Sequence, residues 1–130
     1  MNYAAVGCLK WISAGYADYV RGAARVVRLM RVSLDFDRTS PWECMMKLCL
    51  LKRMFPGKRI EYRRSPSWNG YHVVVYDACD TWEESIEYRK KLWDDPMRIE
   101  IDEERHKSGI CAQVLCDSKG TQFAGKWIRV

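Results

Sequence analysis

The stretch Val32-Ser33-Leu34-Asp35-Phe36-Asp37 alternates between apolar and polar side chains over its whole length. Such alternation is typical of a β-strand, because successive side chains point to opposite faces of a sheet. The three apolar residues then share one face, which can pack against helices. The three polar residues share the other face. We expect that face to be open, with Asp35 and Asp37 side by side.

The two aspartates predict a cation site on this open face. Like charges held close together repel, and each raises the pKa of the other unless a cation lies between them. A hard divalent ion such as Mg²⁺ prefers carboxylate oxygen ligands, and Mn²⁺ accepts the same ligands. Asp35 and Asp37 are therefore candidate metal ligands. A solvated strand end is the alternative that the pair alone leaves open.

Outward from this strand, the pattern reads strand, helix, strand, strand, helix, strand. The first helix begins with the capping box Ser40-Pro41-Trp42-Glu43, and the second begins with Thr81-Trp82-Glu83-Glu84. We expect Trp42, Trp82 and Trp93 on the buried faces of these helices. Residues 97–110 fit either a strand or a short helix. The predicted strands cover residues 32–37, 59–64, 71–76 and 113–116.

This order predicts an α+β fold with the β-α-β-β-α-β layout of ferredoxin-like and RRM-like domains, in which both helices cover one sheet face. Residues 30–130 would form this domain. Residues 1–29 read as an N-terminal helical extension, which either covers the other sheet face or leaves it open. In this topology the first and third strands are neighbours. His72, on the polar side of the third strand, would then lie beside Asp35 and Asp37.

The composition is that of one intracellular globular domain. The chain has 130 residues, of which 48% are hydrophobic and 30% charged, so it is large enough for one core and too small for two. We identify no membrane-spanning run and no secretory signal, and we expect a cytoplasmic protein. Its six cysteines should then remain thiols. A zinc site at His106, Cys111 and Cys116 would have spacings that match no common zinc motif.

Charge is distributed unevenly along the chain. The formal net charge is +5, but residues 38–72 hold eight Lys or Arg against two acidic residues, whereas residues 73–110 hold six against eleven. Four basic residues of this segment lie around one predicted turn and could together contact phosphate groups: Lys58, Arg59, Arg63 and Arg64. We call them the basic cluster. A solvated basic edge is the alternative. Trp68 in the next loop is either a base-stacking platform or a residue tucked beneath the N-terminal helix.

Three motifs follow one another in a distinctive order. They are Leu34-Asp35-Phe36-Asp37, then Ser67-Trp68-Asn69-Gly70-Tyr71-His72, then Ile101-Asp102. This set resembles the archaeo-eukaryotic primase superfamily, the primase-polymerases, whose motifs are a strand with two acids, a small-x-His sequence and a later hydrophobic-Asp pair. The resemblance covers roughly residues 31–120 and is to a minimal catalytic core.

The resemblance implies a divalent-metal-dependent nucleotidyltransferase of DNA replication. Asp35, Asp37 and Asp102 would be the catalytic acids and would hold two Mg²⁺ or Mn²⁺ ions. Ser67, Gly70 and His72 would bind the phosphates of a nucleoside triphosphate. The partners would be DNA or RNA, contacted by the basic cluster and Trp68, and the protein would act as a homodimer or in a larger replication complex. The alternative is a non-catalytic nucleic-acid-binding module on the same fold.

Overall fold

The computed structural model describes residues 30–130, which form a four-stranded antiparallel sheet, a small two-stranded sheet and three helices. The N-terminal helix expected at residues 1–29 lies outside the described residues. The α+β class is confirmed. In chain order the elements are β1 (Met30–Phe36), α1 (Pro41–Met54), β2 (Ile60–Arg64), β3 (Tyr71–Cys79), α2 (Trp82–Lys91), α3 (Pro96–Lys107), β4 (Ser118–Lys119), β5 (Gln122–Phe123) and β6 (Ile128–Arg129).

Each helix begins at a side chain that caps it. The Ser40 hydroxyl accepts a hydrogen bond from the Glu43 backbone N–H at 3.2 Å, and Thr81 does the same for Glu84 at 3.1 Å. Both predicted N-caps are confirmed, and the Glu84 side chain accepts a hydrogen bond from the Asp80 backbone N–H rather than from that of Thr81. The ambiguous segment 97–110 is helical up to Lys107, because Asp95 caps the helix and a proline follows at the first helical position.

The order of the main sheet is β1-β3-β2-β6. β3 runs antiparallel to both β1 and β2, so β1, α1 and β2 form a β-α-β unit that is split by β3. The prediction that the first and third strands are neighbours is confirmed. The register sets Asp35 of β1 and Arg63 of β2 opposite His72 of β3.

The complete ferredoxin-like strand order is not confirmed. β6 pairs with β2, whereas a ferredoxin-like sheet has its last strand beside β1. The predicted strand at residues 113–116 is irregular chain. Gln113 does lie at the free edge of β1, but its side chain, rather than a backbone ladder, bonds that edge. Side-chain hydrogen bonds therefore take the position that a fourth strand would fill.

The two faces of the sheet differ in chemistry but not in burial at their centre. One face is apolar, and its buried cluster contains Val32, Leu34 and Phe36 of β1 together with Leu48 and Leu51 of α1. The other face, which we call the polar face, carries Ser33, Asp35, Arg63, His72 and Val74. His72 is only 2% exposed and Ser33 is fully buried. The prediction of an open face is therefore wrong, because residues 98 and 113–117 fold over it.

The tryptophan predictions were wrong for two of the three residues. Trp42 is 70% exposed and Trp93 is 46% exposed, whereas Trp82 is half-buried and stacks on His106. The buried stripe of α1 is formed by Cys44, Leu48 and Leu51. The opposite side of α1 is also rich in large apolar side chains, which are exposed: Trp42, Met45, Met46, Leu50 and Met54.

The helices and the thiols of residues 30–130 bear on two further expectations. None of α1, α2 and α3 combines the length and the apolar character of a membrane-spanning helix. The thiols of Cys44, Cys49, Cys79 and Cys116 form no disulfide, as expected. Burial raises the pKa of Cys44 and of Cys79 to about 11 in each case, so these two thiols stay protonated at neutral pH.

Candidate functional site

The centre of the polar face is a row of three side chains from three adjacent strands. Asp35 Oδ1 lies 3.8 Å from His72 Nε2, and Arg63 Nε donates a hydrogen bond of 3.1 Å to His72 Nδ1. Because Nδ1 accepts this bond, the neutral imidazole carries its proton on Nε2, which faces Asp35. The register of β1, β3 and β2 fixes this row, as the sequence predicted for Asp35 and His72.

Burial and neighbouring charges shift the pKa values of this pair in opposite directions. Burial lowers the pKa of His72 to about 4, with further lowering by Arg63 and Arg98. Burial raises the pKa of Asp35 to about 6, opposed by Arg98 and reinforced by the acidic residues Asp94, Asp37 and Asp95. His72 therefore gains its proton only at a pH where Asp35 is already neutral. At neutral pH the 3.8 Å contact therefore joins a carboxyl group to a neutral imidazole.

The end of β1 lies against the loop at residues 65–70. The Thr39 backbone N–H donates to the Asn69 carbonyl oxygen at 3.0 Å. Gly70 packs so tightly that a Cβ atom there would collide with the Phe36 carbonyl oxygen and approach Asp37 Cα to 3.2 Å. Ser67, in the same loop, hydrogen-bonds to Ser65 and Asn69. The predicted phosphate-binding loop and exposed Asp37 therefore lie at the same end of the sheet.

Asp102 does not join the other two acids on an open face. It lies on α3 with 1% of its surface exposed, and its carboxylate is within 2.9 Å of Arg89 Nη2 and 3.2 Å of Arg105 Nη1. In a helix Asp102 falls three residues after buried Ile99, on the same inward stripe. The sequence pattern of residues 97–110 fits either a strand or a short helix, and the helix is what forms.

The free edge of β1 is bonded by side chains that the sequence analysis did not select. Asp94 Oδ1 accepts a hydrogen bond of 2.8 Å from the Asp35 backbone N–H. Arg98 donates to the Ser33 carbonyl oxygen at 2.9 Å and to Asp94. Gln113 Oε1 accepts from the Ser33 backbone N–H at 2.9 Å, and its Nε2 donates to the Arg31 carbonyl oxygen at 2.7 Å. We call Asp94, Arg98 and Gln113 the edge clamp.

The only sequence signal for the edge clamp is the spacing of Asp94 and Arg98. Oppositely charged residues four positions apart are neighbours on a helix, and the two form a 2.9 Å ion pair here. Arg89 completes the cluster, because its Nε donates to Asp94 Oδ2 at 2.6 Å and the whole side chain is buried.

The four residues of the predicted basic cluster do not act as one patch. Arg63 is buried, contacts Asp117 at 2.9 Å and lies 4.4 Å from the centre of the Trp127 ring. Arg64 lies over the Tyr71 ring and donates to the Trp68 carbonyl oxygen. Lys58 and Arg59 are exposed, and Arg59 lies over the Tyr76 ring beside Glu61. Three of the four basic side chains, Arg59, Arg63 and Arg64, are therefore engaged in contacts within the protein.

Asp35 and Asp37 are the predicted acids that remain accessible to a cation. The Asp35 side chain is 29% exposed, and Asp37 is exposed at the strand end. In the part of the chain that the structure describes, no group of three or more His, Cys, Asp or Glu side chains has the geometry of a metal site. A cavity between α2 and α3 is lined by Trp82, Ile86 and His106, among others, and by none of the predicted site residues.

Comparisons with known proteins do not identify a family. No protein-family model matches the chain, and neither the curated proteins nor the solved structures give a significant match. The resemblance to primase-polymerases therefore depends on the motif residues and on their arrangement.

Proposed function

We propose that residues 30–130 form a primase-polymerase-like domain that binds nucleoside triphosphates and DNA or RNA and transfers nucleotides with the help of Mg²⁺ or Mn²⁺. One observation carries the proposal: Asp35 and Asp37 lie at one end of β1, with His72 directly opposite Asp35. The resemblance requires this juxtaposition of an acid pair and an imidazole. The adjoining loop that contains Ser67 and Gly70 supports it further.

Each residue has a definite task in this proposal. The carboxylates of Asp35 and Asp37 would bind the divalent ion, which supplies charge neutralisation at the transferred phosphoryl group. His72 is neutral at physiological pH, so its Nε2–H is a hydrogen-bond donor and not a counter-ion. Arg63 holds that tautomer by donating to Nδ1. Asp102 has no part, because Arg89 and Arg105 already bind its carboxylate.

Metal binding and nucleotide incorporation provide the test. We expect the double variant Asp35→Asn with Asp37→Asn to lose Mn²⁺ binding, measured by electron paramagnetic resonance, and manganese-dependent incorporation on primed and unprimed templates. Asp77→Asn is the matched control, because Asp77 is an exposed acid on β3 with φ +54°, a conformation that asparagine tolerates. Incorporation that survives the double substitution would remove the proposal.

The pH dependence of metal binding sharpens this test. The pKa of Asp35 is raised to about 6, and a carboxyl group binds a metal ion only after it loses its proton. Mn²⁺ affinity in the wild type should therefore fall as the pH is lowered through 6. A pH-independent affinity between pH 5 and pH 7 would mean that Asp35 is not a ligand.

A non-catalytic nucleic-acid-binding module is the second candidate. It is favoured by the internal pairing of groups that catalysis would otherwise use, since His72 is bonded to Arg63 and Asp102 to two arginines. This candidate predicts oligonucleotide binding that is unchanged by EDTA, together with no incorporation under any metal condition.

A further inference from the structure

Three aromatic side chains line an exposed surface around the end of β2. Trp68 is 54% exposed, Phe123 70% and Trp127 39%. We call these three residues the aromatic strip. Large aromatic side chains are usually buried or matched to a partner, so three exposed rings along one stretch of surface need an explanation.

Specific contacts fix the aromatic strip on the sheet. The Trp68 indole N–H donates to the Phe123 carbonyl oxygen at 3.1 Å, so these two residues are neighbours. The Gly125 backbone N–H donates to the Arg64 carbonyl oxygen at 3.0 Å, and the buried Arg63 guanidinium lies over the Trp127 ring. The chain from residue 123 to residue 127 therefore runs past the end of β2 and carries the rings with it.

The surroundings of the aromatic strip are basic. Residues 118–130 contain Lys119, Lys126 and Arg129 and no acidic side chain, and all three cations are exposed. Arg64 adds a half-exposed guanidinium beside Trp68. Asp117, the acid that precedes this segment, is paired with Arg63. Glu61 of β2 lies opposite Arg129 in the sheet register, so Lys119, Lys126 and Arg64 supply the excess positive charge that attracts a polyanion.

We infer that the aromatic strip binds single-stranded nucleic acid, with bases stacked on the exposed rings and phosphates near Lys119, Lys126 and Arg129. Every base has a flat face that can stack on an aromatic ring, and this combination of rings and cations suits an unpaired strand. A duplex keeps its bases stacked on one another and offers only its phosphates. The inference rests on the proposed function for its choice of a nucleic acid, and it identifies where the strand would lie.

Arg63 connects the aromatic strip to the polar face. It is buried, it forms an ion pair with Asp117, and its guanidinium lies over the Trp127 ring. The aromatic strip and the Asp35–His72 pair are joined through Arg63, because Arg63 also donates to His72. A bound strand would therefore lie next to the row that contains the proposed metal ligand.

The test compares two equally exposed aromatic residues on different surfaces. Phe123 and Trp42 are each 70% exposed, but Trp42 is on α1. We would measure fluorescence anisotropy of labelled oligothymidylate and oligouridylate of 20 nucleotides, and of a 20-base-pair duplex, with the full chain in EDTA. We expect Phe123→Ala to weaken single-strand binding about tenfold and Trp42→Ala to leave it unchanged. The combined variant Lys119→Gln with Lys126→Gln should weaken binding and reduce its dependence on salt.

The outcomes separate this inference from the proposed function. Equal losses in the two aromatic variants, or duplex binding as tight as single-strand binding, would overturn the assignment of the strip. No binding to any oligonucleotide would also overturn it and would leave the surface for a protein partner. Mn²⁺ binding at Asp35 is measured separately, so loss of strand binding with retained metal binding refutes the strip alone. Circular dichroism melting curves would confirm that each variant is folded.

Discussion

The two faces of the central sheet are equally well buried at the centre of β1 and are stabilised by opposite means. Val32 and Leu34 face the helices and make only apolar contacts, whereas Ser33 between them is just as buried and is bonded by Gln113 and Arg98. Apolar packing is non-directional and tolerates moderate repacking. The polar face depends on each hydrogen bond having its partner, so it is the more easily broken of the two.

The largest expected effect comes from removing Arg89, the buried arginine that pairs with Asp94 of the edge clamp. Arg89→Met leaves a side chain of similar length but takes the guanidinium from Asp94 and Asp102, both of which stay buried. Breaking a buried ion pair from one side costs about 3–5 kcal/mol. The free energy of unfolding in urea should fall by that amount.

Arg105→Met provides the matched control, because Arg105 contacts the same Asp102 but is 35% exposed. An exposed pair contributes less than about 1 kcal/mol. If both variants lose the same stability, the burial of Arg89 has no special consequence, and the contrast between the two faces fails.

The corresponding truncation on the apolar face should be slightly less costly. Leu51→Ala removes a fully buried side chain of α1 that packs in the cluster with Val32 and Val73. Such truncations cost about 3 kcal/mol, depending on how far the cavity collapses. Leu51→Met, which conserves volume, should cost less than about 1.5 kcal/mol. A Met variant as unstable as the Ala variant would show that this face is as demanding as the polar one.

The contrast between the faces also explains which features could be read from the sequence. The alternation at residues 32–37 and the caps at Ser40 and Thr81 are local patterns, and each gave the correct element. Pairing of the first and third strands brought His72 to Asp35. The residues that cover the polar face were not predicted. Asp94 and Gln113 lie 59 and 80 residues along the sequence from the backbone groups to which they hydrogen-bond. Local periodicity carries no information about contacts at that separation.

Asp102 lies apart from the open acids Asp35 and Asp37 for a related reason. Residues 97–102 alternate as a strand would, but Asp95 and the proline after it start a helix, and the helical period turns Asp102 inward. The motifs thus indicated that Asp35 and His72 are neighbours, as they are in the structure, whereas Asp102 lies in a segment whose pattern fits either a strand or a helix.

The edge clamp gives the next prediction. Gln113→Ala leaves the Ser33 backbone N–H and the Arg31 carbonyl oxygen without the partners that they have now. An orphaned buried donor costs about 1–3 kcal/mol, and an uncovered strand edge can pair with another chain. We expect lower stability and a concentration-dependent increase in mass by light scattering. Gln122→Ala, at an exposed position of β5, should change neither quantity.

The smallest expected effect is a change in how stability depends on pH. His72 has a folded-state pKa of about 4 against an ordinary 6.5, so the unfolded chain binds its proton first and stability is lost as the pH falls from 6.5 towards 4. Asp35 has a folded-state pKa of about 6 against an ordinary 3.8, so the folded chain binds its proton first. Its contribution is present at low pH and is lost as the pH rises through 6.

The contributions of His72 and Asp35 to the free energy of unfolding change with pH in opposite directions. The stability of the wild type should therefore be nearly independent of pH between pH 4 and pH 6.5. In Asp35→Asn only the contribution of His72 remains, so the stability of this variant should rise with pH across this window. In His72→Gln only the contribution of Asp35 remains, so the stability of this variant should fall with pH. We expect differences of about 1 kcal/mol after allowing for solvent around the partly exposed carboxyl group. Urea unfolding at three pH values measures all of them. Parallel profiles in the three proteins would mean that the row of side chains on the polar face is not buried as described, since burial is the main cause of both shifts.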